Sequence, residues 1–168
     1  FRLNLDPQIR EALLGPGPKV APLKMSLHLP LPATEFQDLE AAVNAAVQVN
    51  ALPMKVQTDF IPVTGSSVLS NITVQFDRKD LQFQRKGEIS SAAVNLYARI
   101  TSLSRSPAAW FEDVISVDVP TSKMQQALPG AASYNTIIPL QPGQYRLNIV
   151  AKDRVSGKTT SGETILDV

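Results

Sequence analysis

Apolar and polar residues alternate along most of the chain from Pro53 to the C-terminus, and turn-forming residues interrupt the alternation about every ten positions. A period of two places successive side chains on opposite faces of a β-strand. Short strands that recur at this spacing are typical of a sandwich or a barrel. We therefore predict an all-β, immunoglobulin/fibronectin type III-like β-sandwich of about seven strands over residues 53–168.

The segment "AVNLYARI" has the clearest alternation in the chain. Its apolar residues face one way, and its other side carries Asn95, Tyr97, Arg99 and Thr101. An antiparallel sheet commonly packs one face on the core and turns the other to water. We therefore expect this second set of side chains to be solvated.

Residues 1–52 are a Pro-rich extension in which signals for short helices appear. The segment "DPQIREALLGPGP" predicts one short helix, and "LKMSLHL", which lies between two prolines, predicts a strand. The segment "TEFQDLEAAVNAAVQVN" predicts a second helix, and Thr34 and Gln37 resemble a capping box at its start. This helix should end before Pro53. The final "VQVNA" of this segment is equally compatible with a strand, and the sequence leaves open whether the extension packs on the sandwich or links it to an upstream domain. The apolar face of the second helix would consist of Phe36, Leu39, Val43 and Val47.

The segment "LQPGQY" has the spacing of a tyrosine corner, in which a Tyr near the start of a late strand hydrogen-bonds back to the preceding backbone. Pro142 fixes φ and Gly143 permits a positive φ, so the chain can turn sharply enough for Tyr145 to lie over the bend. We predict a structural corner formed by Leu140, Pro142, Gly143 and Tyr145. The alternative is an unrelated β-turn with a partly buried Tyr.

The segment "RVSG" is predicted to join the last two strands as a hairpin. Its tip would expose Arg154, Val155 and Lys158, which are two cations and one apolar side chain. The loops and edges of a sandwich are available for contacts because its inward residues are committed to packing. These three residues are the candidate partner-binding loop, although a hairpin tip is usually only solvated.

Three segments, "ITVQFDRKDLQF", "FEDVISVDVP" and "SYNTIIPLQPGQYRLNIVAKDRVSGKT", resemble the region downstream of the von Willebrand A domain in acidobacterial von Willebrand factor A-related proteins. The resemblance covers residues 50–168 and is most specific in the order of "FED", "PLQPGQYRL" and "KDRVSGK". It implies an exported, extracytoplasmic bacterial protein in which an immunoglobulin-like tail accompanies an adhesion-type domain. The Asp-x-Ser-x-Ser metal motif of the A domain is absent from this sequence, so ion-dependent adhesion is not carried over to it.

Composition and charge argue against several classes of function. The 16 basic and 15 acidic residues are mixed along the chain, whereas nucleic-acid binding normally needs a basic stripe. No apolar run approaches the roughly 20 residues that span a bilayer, so we expect no membrane insertion. The absence of cysteine excludes disulfides and thiolate chemistry. No glycine falls in a phosphate-binding pattern, and no nucleotide cofactor is predicted.

Candidate catalytic and metal-binding residues are few. His28 is the only histidine, and no Gly-x-Ser-x-Gly elbow accompanies it. Glu112 and Asp113 are adjacent in a predicted strand, so they would point to opposite faces and would not form an acid–base pair. Asp77 and Asp80 flank a basic pair in a predicted turn, where acids are more often solvated than bound to calcium. We predict no catalytic, cofactor or metal site.

The preferred function is a non-catalytic structural or protein-interaction module, whose partner is another protein or an upstream domain of the same protein. A carbohydrate-binding module is the alternative. It would need exposed aromatic side chains, for which Tyr97, Trp110 and Tyr134 are the main candidates. A hydrolase domain is a third possibility, and it would need a cleft with perturbed titratable groups.

Overall fold

The computed structural model describes residues 36–45 and 49–168. The first predicted helix, the predicted strand "LKMSLHL" and His28 lie outside these residues. Within the described residues, a helix precedes eight strands, and a short helix follows the fifth strand. The bounds are α1 Gln37–Asn44, β1 Lys55–Thr64, β2 Ser67–Asp77, β3 Gln84–Lys86, β4 Ile89–Ser102, β5 Pro107–Pro120, α2 Met124–Ala127, β6 Ala131–Leu140, β7 Gln144–Asp153 and β8 Thr159–Asp167.

The strands form two antiparallel sheets. One sheet has the order β1-β2-β6, and the other has the order β5-β4-β7-β8. The short strand β3 pairs with residues 89–91 of β4, next to the stretch of β4 that pairs with β7. The predicted all-β sandwich is confirmed, and the seven longer strands of the described residues agree with the predicted number.

Side chains from both sheets fill the core between them. In β2, every second residue from Val68 to Phe76 is buried, as the alternation in the sequence predicts. The strand β4 contributes Val94, Leu96 and Ile100, which have no exposed surface. Burial of a Val, Leu, Ile or Phe side chain contributes about 1.5–3 kcal/mol. The period-two pattern therefore stabilises the sandwich because it supplies two continuous apolar faces.

The outer face of the larger sheet is covered by α1, which corrects the expectation that the polar side of β4 is solvated. Tyr97 is 0% exposed and packs with Leu39 and Val43 of α1 and with Val150 of β7. Leu39 and Val43 are four positions apart, so they lie on the same side of the helix and both face the sheet. The expectation was wrong at Tyr97 because the alternation within a strand does not reveal a helix that packs on it from a distant part of the chain.

The ends of α1 differ from the predicted ones. The helix begins at Gln37 with Phe36 at the N-cap position, and no side chain caps it. Gln37 is therefore the first helical residue, and the predicted capping box, which needs it two positions further into the helix, is wrong for this end. The helix ends at Asn44. Thr34 of the predicted capping box and Val47 of the predicted apolar face lie outside the described residues.

The chain that follows α1 joins the larger sheet. Asn50 forms an antiparallel bridge with Thr160 of β8, and the Ser161 amide donates a hydrogen bond of 2.8 Å to the Val49 carbonyl. These two contacts are typical of a strand, which is the second interpretation that the sequence allows for "VQVNA". Part of the extension thus packs on the sheets, while the division of the chain at residue 52 stays a prediction.

Candidate functional site

The turn between β7 and β8 brings the candidate partner-binding residues together. The strand β7 ends at Asp153 and β8 begins at Thr159, so Arg154, Val155 and Lys158 lie in the connection. All three side chains are exposed, and Val155 has an exposed fraction of 41%. We call residues 154–158 the hairpin tip.

A buried carboxylate holds the hairpin tip in place. Asp153 is 0% exposed, and its Oδ2 accepts a hydrogen bond of 2.8 Å from the Gln82 amide. Its Oδ1 accepts bonds from the amides of Val155 at 2.8 Å and Ser156 at 3.2 Å. Hydrogen bonds to an ionised acceptor are shorter and stronger than neutral ones. The carboxylate of Asp153 therefore fixes the start of the tip and ties it to the segment that precedes β3.

The backbone of the hairpin tip is fixed as well. The Arg154 amide donates to the Ala93 carbonyl of β4 at 2.9 Å, and the Gly157 amide donates to the Asp153 carbonyl at 2.8 Å. Gly157 has a φ of 72°, a conformation that residues with a Cβ rarely adopt. The exposed side chains of the tip thus project from a backbone whose conformation is set by the fold.

Sequence reasoning identified the exposed residues of the tip but missed Asp153. An Asp whose side chain bonds the backbone two residues further on is an Asx-turn, and the order "DRVSG" is compatible with one. That local signal was present. The bond to Gln82 was not predictable, because the two residues are separated by 71 positions.

The predicted corner residues lie together at the other end of β7. Tyr145 Oη donates a hydrogen bond of 3.0 Å to the Gln141 carbonyl, and Leu140 is buried. Gly143 has a φ of 155°, and its amide and carbonyl both pair with Val168 at 2.9 Å. Pro142 lies in the bend between these groups. The arrangement closes the bend between β6 and β7, and it presents no reactive group.

Polar side chains surround Tyr97 beneath and beside α1. The Tyr97 hydroxyl is buried without a hydrogen-bond partner, and burial raises the pKa of Tyr97, with the nearby charge of Glu40 as the next cause. At the edge of this region, Lys152 Nζ lies 2.7 Å from Asp38 Oδ2, and this hydrogen bond lowers the pKa of Asp38. The helix covers Tyr97, so its hydroxyl is held as a packed group and is closed to a substrate from solvent.

The three aromatic residues considered for carbohydrate binding are separated and packed. Tyr97 is buried under α1, and Trp110 packs against the same cluster. Tyr134 stacks with Phe111, with ring centroids 5.8 Å apart. A carbohydrate-binding face normally offers aromatic rings to the solvent, and these three residues do not form one.

The acidic residues considered for catalysis or metal binding are placed apart. Glu112 lies opposite Tyr97 and Asp113 lies opposite Leu96, so the two carboxylates belong to different faces of the sheet. Asp77 pairs with Lys55 at 3.2 Å and with Lys79 at 3.9 Å, and Asp80 lies in a short 3₁₀ turn. Among the residues that the structure describes, no group of three or more His, Cys, Asp or Glu side chains is arranged to hold a metal ion.

The outer face of the smaller sheet exposes apolar side chains. Ile61, Val63 and Ile137 have exposed fractions of 56%, 59% and 57%. Ile61 lies opposite Leu69, and Leu69 lies opposite Pro139, so these side chains extend across the sheet. The other end of the same face is polar, where the Asn135 amide donates to Asn71 at 2.7 Å and to Thr73 at 2.9 Å.

The described helices are too short and too polar for any of them to cross a membrane.

No protein-family model matches the chain, and no curated protein matches it either. Among solved structures, the chain is similar to a glycosyl hydrolase family 2 member from Bacteroides cellulosilyticus, with 11% identity and a TM-score of 0.46 over 71% of this chain. It is also similar to a Bacteroides uniformis beta-glucuronidase, with 12% identity and a TM-score of 0.42 over 68% of this chain. The chain spans 16% of the first of these proteins and 13% of the second.

Proposed function

We propose that this chain is a non-catalytic structural or protein-interaction module of an exported bacterial protein, in which an immunoglobulin-like sandwich accompanies an adhesion-type domain. Its partner is another protein or an upstream domain of the same protein. The export and the adhesion-type neighbour rest on the sequence resemblance to von Willebrand factor A-related proteins. The interaction rests on the hairpin tip.

The hairpin tip carries the proposal because it is both exposed and preorganised. Arg154 and Lys158 form no ion pair with the described residues, and Val155 is an apolar side chain between them. The Asp153 carboxylate holds the backbone before any partner binds. Association loses less conformational entropy when the contacting loop is already ordered, so such a loop suits a binding surface.

Carbohydrate binding has less support than protein binding. The three aromatic side chains considered for it are buried or half-buried, and each packs against one of the two apolar clusters. A hydrolase also has little support, since Glu112 and Asp113 face opposite sides of the sheet. Binding at the hairpin tip is therefore better supported than a reaction.

The test compares immobilised wild-type protein with a variant in which Arg154, Val155 and Lys158 are changed to Ala. Each is exposed to an extract of the source organism, and the retained proteins are quantified. The variant should unfold within about 0.5 kcal/mol of the wild type, because these side chains are exposed. It should lose a retained protein by about tenfold or more, which corresponds to a loss of 1.4 kcal/mol in binding.

The control removes one Val and two cations at the opposite end of the sandwich. These are Val63 and Arg105, which are exposed, and Arg146, which pairs with Glu163 at 3.6 Å. This variant should retain the same proteins as the wild type. Equal retention by all three proteins would contradict the role of the tip. Separately, turnover of an esterase, glycosidase or peptidase substrate that a single carboxylate or serine substitution abolishes would contradict the non-catalytic assignment.

A further inference from the structure

A shallow trough lies between β3 and the hairpin tip. Both of them hydrogen-bond to β4, β3 through residues 89–91 and the tip through the Ala93 carbonyl. The trough has a volume of about 430 Å³. The floor consists of small residues of β4, from Ser91 to Ala93, and the walls are longer side chains. One wall is Gln84 and Lys86 of β3, and the other is Arg154 and Val155 of the tip.

The two walls of the trough each carry a cation that is free of ion pairs. Lys86 and Arg154 are exposed, and neither forms a salt bridge with the described residues. Two neighbouring acids are Asp118, which lies opposite Ser91, and Glu88, which lies in the turn after β3. Neither forms an ion pair with Lys86 or Arg154. The carboxylate of Asp153 is buried and is engaged by backbone amides. The trough therefore offers positive charge to an incoming ligand.

The backbone around the trough favours a peptide as this ligand. Among the described residues, β3 pairs with β4 alone, and all three of its residues are exposed. A short edge strand can pair with an extended chain through backbone hydrogen bonds, while alternate side chains enter the neighbouring groove. A polysaccharide has no backbone amides to make such a ladder. An extended peptide can therefore pair with the exposed edge of β3 and place its side chains in the trough.

We infer that the trough binds an extended acidic segment of a partner protein, with its carboxylates placed against Lys86 and Arg154. The inference rests on the proposed function and deepens it, because it names the chemistry of the partner. The floor of small side chains leaves room for a strand-like segment. The Asp153 carboxylate and the bond from Arg154 to Ala93 keep one wall in position before binding.

The test measures binding of a fluorescently labelled peptide of alternating Glu and Val by anisotropy. Its counterpart of alternating Gln and Val keeps the length and the strand propensity and removes the charge. The Glu peptide should bind at least about tenfold more tightly than the Gln peptide at low ionic strength, and the difference should shrink as salt screens the charges. Equal binding of the two peptides overturns the inference.

Two variants locate the binding. Lys86→Glu combined with Arg154→Glu should weaken binding of the Glu peptide at least about tenfold. Arg105→Glu combined with Arg146→Glu makes the same change of charge at the other end of the sandwich and also breaks the pair between Arg146 and Glu163. It should leave binding within about twofold. Circular dichroism and thermal melting check that both variants fold. An equal loss in both variants overturns the site, and so does binding of polygalacturonate more tightly than the peptide. If the peptide fails but partner retention still depends on Arg154, Val155 and Lys158, the inference fails and the proposed function stands.

Discussion

The two ends of β7 are both held by a side chain that hydrogen-bonds to nearby backbone, but in different ways. At the start, Tyr145 donates one bond from a neutral hydroxyl to the Gln141 carbonyl at the surface. At the end, Asp153 is fully buried, and its carboxylate accepts bonds from three backbone amides. The first arrangement closes a bend, whereas the second ties a projecting turn to a distant segment.

The two ends of β7 differ in how strongly each holds the backbone of the turn beside it. A neutral bond that water can replace contributes little net free energy, while a buried acceptor is costly to remove because its donors lose their partners. The hairpin tip is therefore the more firmly held turn of the two. It is also the turn that exposes Arg154, Val155 and Lys158.

The largest effect is expected when the buried carboxylate is removed. Asp153→Ala should lower the free energy of unfolding by about 2–4 kcal/mol, because the amides of Gln82, Val155 and Ser156 lose their acceptor in a part-buried site. Equilibrium unfolding in urea measures the change. Asp118→Ala, which removes an exposed carboxylate from β5, is the control and should stay within about 0.5 kcal/mol of the wild type. Equal effects of the two substitutions would mean that the tip is not held by Asp153.

A smaller effect is expected at the corner. Tyr145→Phe removes the hydroxyl and its bond to Gln141 and keeps the ring, so it should cost about 0.5–1.5 kcal/mol. The same urea experiment measures it. A loss as large as that of Asp153→Ala would erase the contrast between the two ends of β7.

The smallest effect on stability is expected at Tyr97. Its substitution by Phe is also a control for Tyr145→Phe, because both changes remove a hydroxyl and keep the ring. The Tyr97 hydroxyl is buried without a partner, so Tyr97→Phe should leave stability within about 0.5 kcal/mol of the wild type or raise it. The folded state raises the pKa of Tyr97 above its usual value of 10.0, so the wild type should lose stability as the pH rises through and above that value. The Phe variant should lose less. A large destabilisation by Tyr97→Phe at neutral pH would show that a hydroxyl is needed under α1.

The features that were predictable from the sequence are those that depend on short stretches of chain. The alternation in "AVNLYARI" predicted which side of β4 faces the core, because side-chain direction has a period of two. The spacing of "LQPGQY" predicted the corner, whose bond spans four residues. The turn "RVSG" placed Arg154 and Lys158 at a hairpin tip. Each of these signals is complete within one segment.

The features that were missed depend on segments that are far apart in the sequence. The burial of Tyr97, in β4, needs α1, which precedes β1 in the chain. The pairing of Asn50 with Thr160 joins the extension to the last strand. The role of Asp153 needs Gln82. A pattern within a strand gives the direction of a side chain, but the element that covers it is set by tertiary packing.

Binding at the hairpin tip is tested by following the backbone amide NMR signals while the peptide of alternating Glu and Val is added. We expect the signals of β3 and of residues 154–158 to shift, while those of the corner, residues 141–145, and of α1 do not. The peptide of alternating Gln and Val should produce smaller shifts at the same positions. Shifts centred on the corner or on α1, or binding with no change at the tip, would contradict the claim that this end of β7 is where the protein meets its partner.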